Sequence, residues 1–258
     1  MKTTFISTHA IAEATRHQML RMQAELTKLE KEIVTLRVDD SAVHLGARTG
    51  VSVSLERDIE RLKVIIDSNA LASSRLSATQ AGLKSLNDLA EYYLSVTTAT
   101  GSSPADAIMA SDQARALLTS ATAVLNSNLN GENLFSGVNT DVRPIDDFFA
   151  AGSPARTAME NGFLTHFGFA HTDPLAAGIS KADMETFLTT VIEPQFLGPD
   201  WNANWSSATD ETITARITMT ETTSASVSAN APGIRRLMMS AATVAVFSTD
   251  EGQPAMNH

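Results

Sequence analysis

A chain of 258 residues with 43% hydrophobic content has room for one large domain or two modest ones and enough apolar material for a core, which excludes wholesale disorder. A formal charge of -10 supplies no cationic surface to displace counterions from phosphates, so nucleic acid and an anionic membrane surface are excluded as partners. The lack of cysteine removes disulfide scaffolds, thiolate zinc sites and a Cys nucleophile together.

The N-terminus, from Met1 to His9, has no continuous apolar core and no small-residue cleavage site, so it does not read as a Sec signal peptide. No stretch approaches the roughly 18 to 20 apolar residues of a membrane span, and the best candidate, 241–247, is far too short. The chain therefore reads as soluble. Aromatic content of 5% means that Ala, Leu, Ile, Val and Met fill the core, which suits slender helix packing.

The first strong periodic signal covers 8–37. Met19, Met22, Leu26, Leu29, Ile33 and Leu36 are spaced alternately three and four apart, with Glu25, Lys28, Glu30, Lys31 and Glu32 on the flanks. That is the spacing of a heptad seam facing a partner helix, and it also suits an ordinary amphipathic helix on a globular core. After a break at 39–50, a longer segment at 51–98 keeps the same spacing through Leu62, Ile65, Asn69, Ala72, Leu76, Thr79, Leu83, Leu86, Ala90 and Tyr93. No Pro interrupts it, and at about 1.5 Å per residue it would approach 70 Å, which implies a rod. Asn69 and Thr79 in the seam either fix register or face a water-filled groove.

Gly101-Ser102-Ser103-Pro104 ends that helix and starts the next, with Ser103 as N-cap and Pro104 at the first helical position. Ile108, Leu117, Leu118, Ala121, Val124, Leu125 and Leu129 carry the third helix to a stop at Asn130-Gly131. The short loop makes it antiparallel to the second. Between 138 and 230 Gly, Pro, Asn and aromatics rise. Ser153-Pro154 starts a short helix bearing Phe163 and Phe167, and Ser180-Lys181-Ala182-Asp183 caps another bearing Phe187, Leu188, Val191 and Ile192. Ile213, Ala215, Ile217 and Met219 alternate with polar residues as a half-buried strand that 222–228 could pair with. Asn230-Ala231-Pro232-Gly233 opens a final helix with Ile234, Leu237, Met238, Ala241, Val244 and Ala245 on its apolar side, and 248–258 reads as frayed tail.

Chemistry is hard to find. His166 and His171 are five apart, off a common helical face and without a carboxylate cluster, so they read as surface or loop histidines. Asp39-Asp40 and Asp146-Asp147 have no companion for acid–base work. Trp201 and Trp205 form either an aromatic ligand platform or, better suited to an aromatic-poor chain, a pin for a small core. No GxGxxG, P-loop, GxSxG or HExxH pattern occurs, so neither catalysis nor a metal or cofactor is expected.

In order, these pieces resemble a known family. Asn130-Gly131-Glu132-Asn133-Leu134-Phe135-Ser136-Gly137-Val138-Asn139-Thr140-Asp141, with Arg143-Pro144-Ile145 after it, looks like the segment that closes the helical domain in flagellins and hook-associated protein 3. The first helix, Arg75-Leu76-Ser77-Ala78-Thr79-Gln80, the 200–207 segment, Thr214-Ala215-Arg216-Ile217 and 228–237 are similar to the hook–filament junction proteins of that flagellin-like superfamily.

The resemblance implies a mainly α fold: an elongated antiparallel helical shaft (46–137 and 231–258), a coiled-coil core segment (1–45) and a small inserted α+β domain (138–230) pointing outward. It implies a structural adaptor joining hook to filament, with flagellin as the alternative reading. The implied partners are further copies in a ring, the other junction protein, flagellin and an export chaperone. Export would run through the flagellar type III apparatus without a cleaved signal. Family members end in a further amphipathic helix pairing with the first. Here the chain stops at His258, so a fragment with an incomplete terminal coiled coil is expected.

Overall fold

The computed structural model describes residues 8–39, 46–99 and 103–248. The extreme N-terminus, most of the break expected between the first two helices, residues 100–102 and the expected frayed tail from 249 lie outside the described residues. The chain divides into two units, Met1–Lys63 and Val64–His258.

In the first unit, α1 (Thr8–Thr35) is an unbroken helix of 28 residues with no Pro or Gly in it. It ends as Leu36 turns left-handed, at φ 51°. Asp39 then folds back, its N–H donating to Glu32 Oε1 at 2.9 Å and its carboxylate pairing with Lys31. The Lys31 ammonium holds the Asp39 carboxyl below its usual range, and Asp39 in turn raises Lys31. A 3₁₀ turn, Gly46–Arg48, leads into α2 (Thr49–Ala99), a 51-residue helix that the boundary between the units crosses.

The second unit holds the rest of α2 and all that follows. Ser103 starts α3 (Pro104–Leu125) with a reciprocal capping box: its Oγ accepts from Asp106 N and its own N–H donates to the Asp106 carboxylate, both at 3.2 Å. Asn130-Gly131 is not the stop of this helix. Asn126 ends it at Leu125, because its side chain pairs with the Ile145 backbone, donating to the carbonyl at 2.8 Å and accepting from the N–H at 3.1 Å. Asn130 and Gly131, at φ 55° and 90°, instead form the turn of a hairpin between β1 (Asn128–Leu129) and β2 (Glu132–Asn133).

The region between 138 and 230 begins with α4 (Pro154–Phe167), capped by Ser153, and a 3₁₀ turn, Pro174–Gly178. Then α5 (Lys181–Phe187), capped by Ser180, runs on through a π-helical turn, Leu188–Ile192, into α6 (Glu193–Leu197). The regular helix expected there is widened because Pro194 has no N–H for the carbonyl four residues back and its ring crowds that carbonyl. Glu193 N–H reaches back five residues to Leu188 O instead. After α7 (Asp200–Asn204), the expected strand pair appears as β3 (Thr214–Arg216) antiparallel to β4 (Thr222–Ser224), with Ala215 opposite Thr223. The second strand is shorter than the sequence suggests, because Ser226 Oγ takes over the Ile213 N–H at 2.8 Å and Ser228 bridges to Ser136.

The final helix, α8 (Pro232–Phe247), packs along α3. The fold is thus mainly helical, with long antiparallel helices and two small two-stranded sheets. One contiguous apolar cluster runs from Leu86 and Tyr93 of α2 through Leu118 and Leu125 to Phe163, Phe187, Trp201 and Phe247.

Gly137 sits at φ 70°, where an added Cβ would meet the Thr209 carbonyl oxygen at 2.4 Å. Gly131 has a positive φ but open space around it. Gly137→Ala should therefore destabilise the protein by about 2–4 kcal/mol, and Gly131→Ala by about 1 kcal/mol. Urea melts of the two variants, compared at equal m-value, check this ordering.

Candidate assembly interface

The residues singled out on the first helix are almost entirely wet. Met19, Met22, Leu26 and Leu29 are about half exposed, and Ile33 is 72% exposed. Leu36, one residue past the end of α1, is 91% exposed and in left-handed backbone, so it does not continue the helical stripe. At roughly 1.5–3 kcal/mol for each large side chain fully buried, the five helical residues represent on the order of 10 kcal/mol that a partner could realise. Leu62, in the same unit, is also exposed.

In the second unit the long seam of α2 meets the core. Ile65, Thr79, Leu86 and Tyr93 are buried at intervals that are multiples of seven, and Asn69, Ala72, Leu83 and Ala90 are half-buried between them. Burial pushes the Tyr93 phenol up to about 12. Leu76 faces outward, and its neighbour Arg75 is buried in its stead. Arg75 donates from Nη1 to Glu132 Oε2 at 2.8 Å and from Nη2 to Asn133 O at 2.7 Å, tying the β1–β2 hairpin to the helix. Nothing in the sequence distinguished Arg75 from a solvated arginine, apart from the acidic residue beside the Asn-Gly turn. The two polar seam residues find partners in the chain: Asn69 donates to Ile217 O at 3.0 Å, and Thr79 to Arg75 O at 2.9 Å.

The aromatic pair is a pin. Trp201 and Trp205 are buried and stacked on each other at 5.5 Å, with Phe148 stacked on Trp205 at 5.0 Å, so the pair is enclosed in the core and not open to a ligand. Trp201 Nε1 donates to Asn230 Oδ1 at 2.7 Å. That same oxygen accepts from Ser206 Oγ, and the Asn230 amide donates to Ala208 O and Asp210 Oδ1. Arg235 lies over Trp201, 5.6 Å from the ring centroid.

His166 is exposed near the end of α4, and His171 is half-buried with its ring edge-on to Phe163 and Phe247. Among the described residues no three His, Asp or Glu side chains come together as metal ligands, and no helix is long and apolar enough to cross a membrane.

What these residues build is a helical protein whose polar side chains lock its own turns and whose first helix exposes an apolar stripe. Residues 6–140, just over half the chain, match the bacterial flagellin N-terminal helical region, and the chain belongs to that family. No curated protein and no solved structure matches it significantly. The protein is accordingly a structural, non-enzymatic component of the extracellular flagellum that self-assembles with flagellar subunits.

Two outcomes follow from this geometry. Leu26→Asp with Ile33→Asp should leave the helical circular dichroism of the monomer unchanged, since both positions are wet, while incorporation into flagella is lost. Burial also lowers the His171 pKa below 6.5, with Glu160 opposing and Arg156 reinforcing the shift. The fold thus favours neutral His171, so its contribution is complete above 6.5 and lost as pH falls through the lower folded value. Urea midpoints between pH 7 and 5 should fall more for the wild type than for His171→Gln.

Proposed function

We propose that the chain is the adaptor that joins the hook to the filament, forming a ring of copies between the other junction protein and flagellin. Two kinds of observation support this. The family match covers 6–140, the helical part common to the superfamily, and the segments that resemble junction proteins continue beyond it at 200–207, 214–217 and 228–237. The observation that carries the reading is that two of these later segments, 200–207 and 228–237, meet at one node: Trp201 and Ser206 bond Asn230, which lies just before α8. A sequence feature used in this way belongs to the architecture of the subunit, not to a variable surface.

In this reading the α1 stripe and the exposed apolar residues early in α2 pack against helices of neighbouring subunits. Residues 138–230 face outward, and an export chaperone covers the stripe before secretion. The second reading, a filament subunit, is favoured by the family match itself, which is to flagellin.

A deletion strain separates the two. Loss of an adaptor should leave hooks without filaments and flagellin spilled into the medium, and quantitative mass spectrometry of wild-type flagella should find about one ring's worth of this chain. Thousands of copies per flagellum, or a deletion strain that secretes no flagellin, would establish the filament role instead.

A further inference from the structure

A cavity of about 390 Å³ lies within the second unit, walled by the second and third turns of α3, the start of α4 and the end of α8. Small-molecule sites occupy roughly 300–1,000 Å³, so the space is of the right order for one. Its polar side chains are the unusual feature. Ser111 is 4% exposed and Ser248 7%, yet neither hydroxyl bonds anywhere in the chain and neither is sealed from solvent. Asp112, Arg115, His171 and Thr172 share the cavity, and they too form no side-chain hydrogen bond or ion pair within the chain. Elsewhere in this unit, buried amides such as Asn133 and Asn230 are bonded several times over. A buried hydroxyl left without a partner is unfavourable, and native structures pair nearly all of them.

Donors outnumber acceptors on this wall. Arg115 lies over Phe149, 5.6 Å from the ring centroid, with its whole guanidinium free of polar partners. Arg156 commits only its Nε, to Glu160 Oε1 at 2.7 Å, which leaves both Nη groups to donate. Two guanidinium forks suit a planar or tetrahedral oxyanion, which accepts two parallel N–H bonds from each. Asp112 is the one acceptor-only side chain among the lining residues. It repels a bare anion, but it accepts from a hydroxyl, and the Ser111 and Ser248 hydroxyls bond hydroxyls equally well.

We propose that this cavity binds a small oxyanion that also carries hydroxyl groups, a phosphorylated or carboxylated sugar. Arg115 and Arg156 take the anionic group, and Asp112, Ser111 and Ser248 take the hydroxyls. Ile108, Phe148 and Val246 supply the apolar part of the wall, against which the carbon skeleton packs. The inference is independent of the place of the subunit in the flagellum, since every residue in it belongs to one chain.

Calorimetric titration of the full chain with four probes tests this. Glucose 6-phosphate and glucuronate carry both features, sulfate only the charge, and glucose only the hydroxyls. At least one of the first two should bind with a Kd below about 1 mM, and sulfate and glucose at least tenfold more weakly. Tighter binding of glucose 6-phosphate assigns the anionic group as phosphate, and tighter binding of glucuronate assigns it as carboxylate. Arg115→Gln and Ser111→Ala remove groups that have no polar partner in the chain, so both variants should keep the wild-type circular dichroism. Arg115→Gln should weaken binding at least tenfold and Ser111→Ala severalfold. No heat from either sugar anion at 10 mM, sulfate or glucose binding as tightly as they do, or either variant binding like the wild type overturns the proposal.

Discussion

The second unit is arranged around the packing of α8 along α3, to which both helices bring buried alanines. Ala114 and Ala121 on α3 and Ala241, Ala242 and Ala245 on α8 are at most 2% exposed, buried together with Leu118, Leu125 and Met238 of the same two helices. Small side chains bring helix axes toward the short end of the usual 8–10 Å range, and alanine also loses the least side-chain entropy in a helix. Larger residues then close the two ends of the pair. Leu86 and Tyr93 of α2 belong to the same cluster, as does Phe247, which stacks on Phe163 at 5.2 Å and meets Phe187 edge-on. The few aromatics of the chain are thus concentrated where helices must be joined to irregular segments, a task that methyl-to-methyl contact cannot perform.

The irregular segments are held by a second device, polar side chains that imitate backbone. Asn126 pairs with Ile145 as a strand neighbour would, using both its oxygen and its nitrogen. Asn133 donates to the Thr140 and Val142 carbonyls, and Asn230 gathers Trp201, Ser206, Ala208 and Asp210. Each such amide stops a helix or docks a loop without a long strand, which is why two-stranded sheets of two or three residues suffice. These buried polar groups are committed to partners within the fold, and a chain organised in this way has its chemistry in its architecture.

Much of this was legible from the residues. Helix starts at Ser103, Ser153, Ser180 and Pro232 could be read because capping is local: a hydroxyl or a missing N–H acts within three residues of itself. The end of α3 could not, since Asn130-Gly131 serves equally well as a helix stop or a hairpin turn. The choice between them depends on Ile145, 14 or more residues away. The π-helical turn at Leu188–Ile192 had a visible cause in Pro194, but not a visible outcome, because a proline can also end a helix outright. In the seam of α2 the three-four spacing identified Ile65, Thr79, Leu86 and Tyr93, yet chose Leu76 over Arg75. One residue is a rotation of about 100° on a helix, and what turned the buried face toward the arginine was the carboxylate of Glu132 across the hairpin. Hydrophobicity alone carries no record of that pairing.

The wet stripe of α1 poses a different problem, since an exposed apolar ridge is an aggregation liability. Two features of the sequence hold it in check. Glu25, Lys28, Glu30, Lys31 and Glu32 flank the ridge, so a foreign surface that approaches without matching charges must strip them of water for little return. The net charge of -10 also repels like copies at long range, where apolar burial does not yet act. Attraction at this ridge is therefore confined to short distance, where side chains such as Met19, Met22, Leu26, Leu29 and Ile33 can be buried. Repulsion that is diffuse and attraction that acts only at contact together favour ordered association over indiscriminate aggregation.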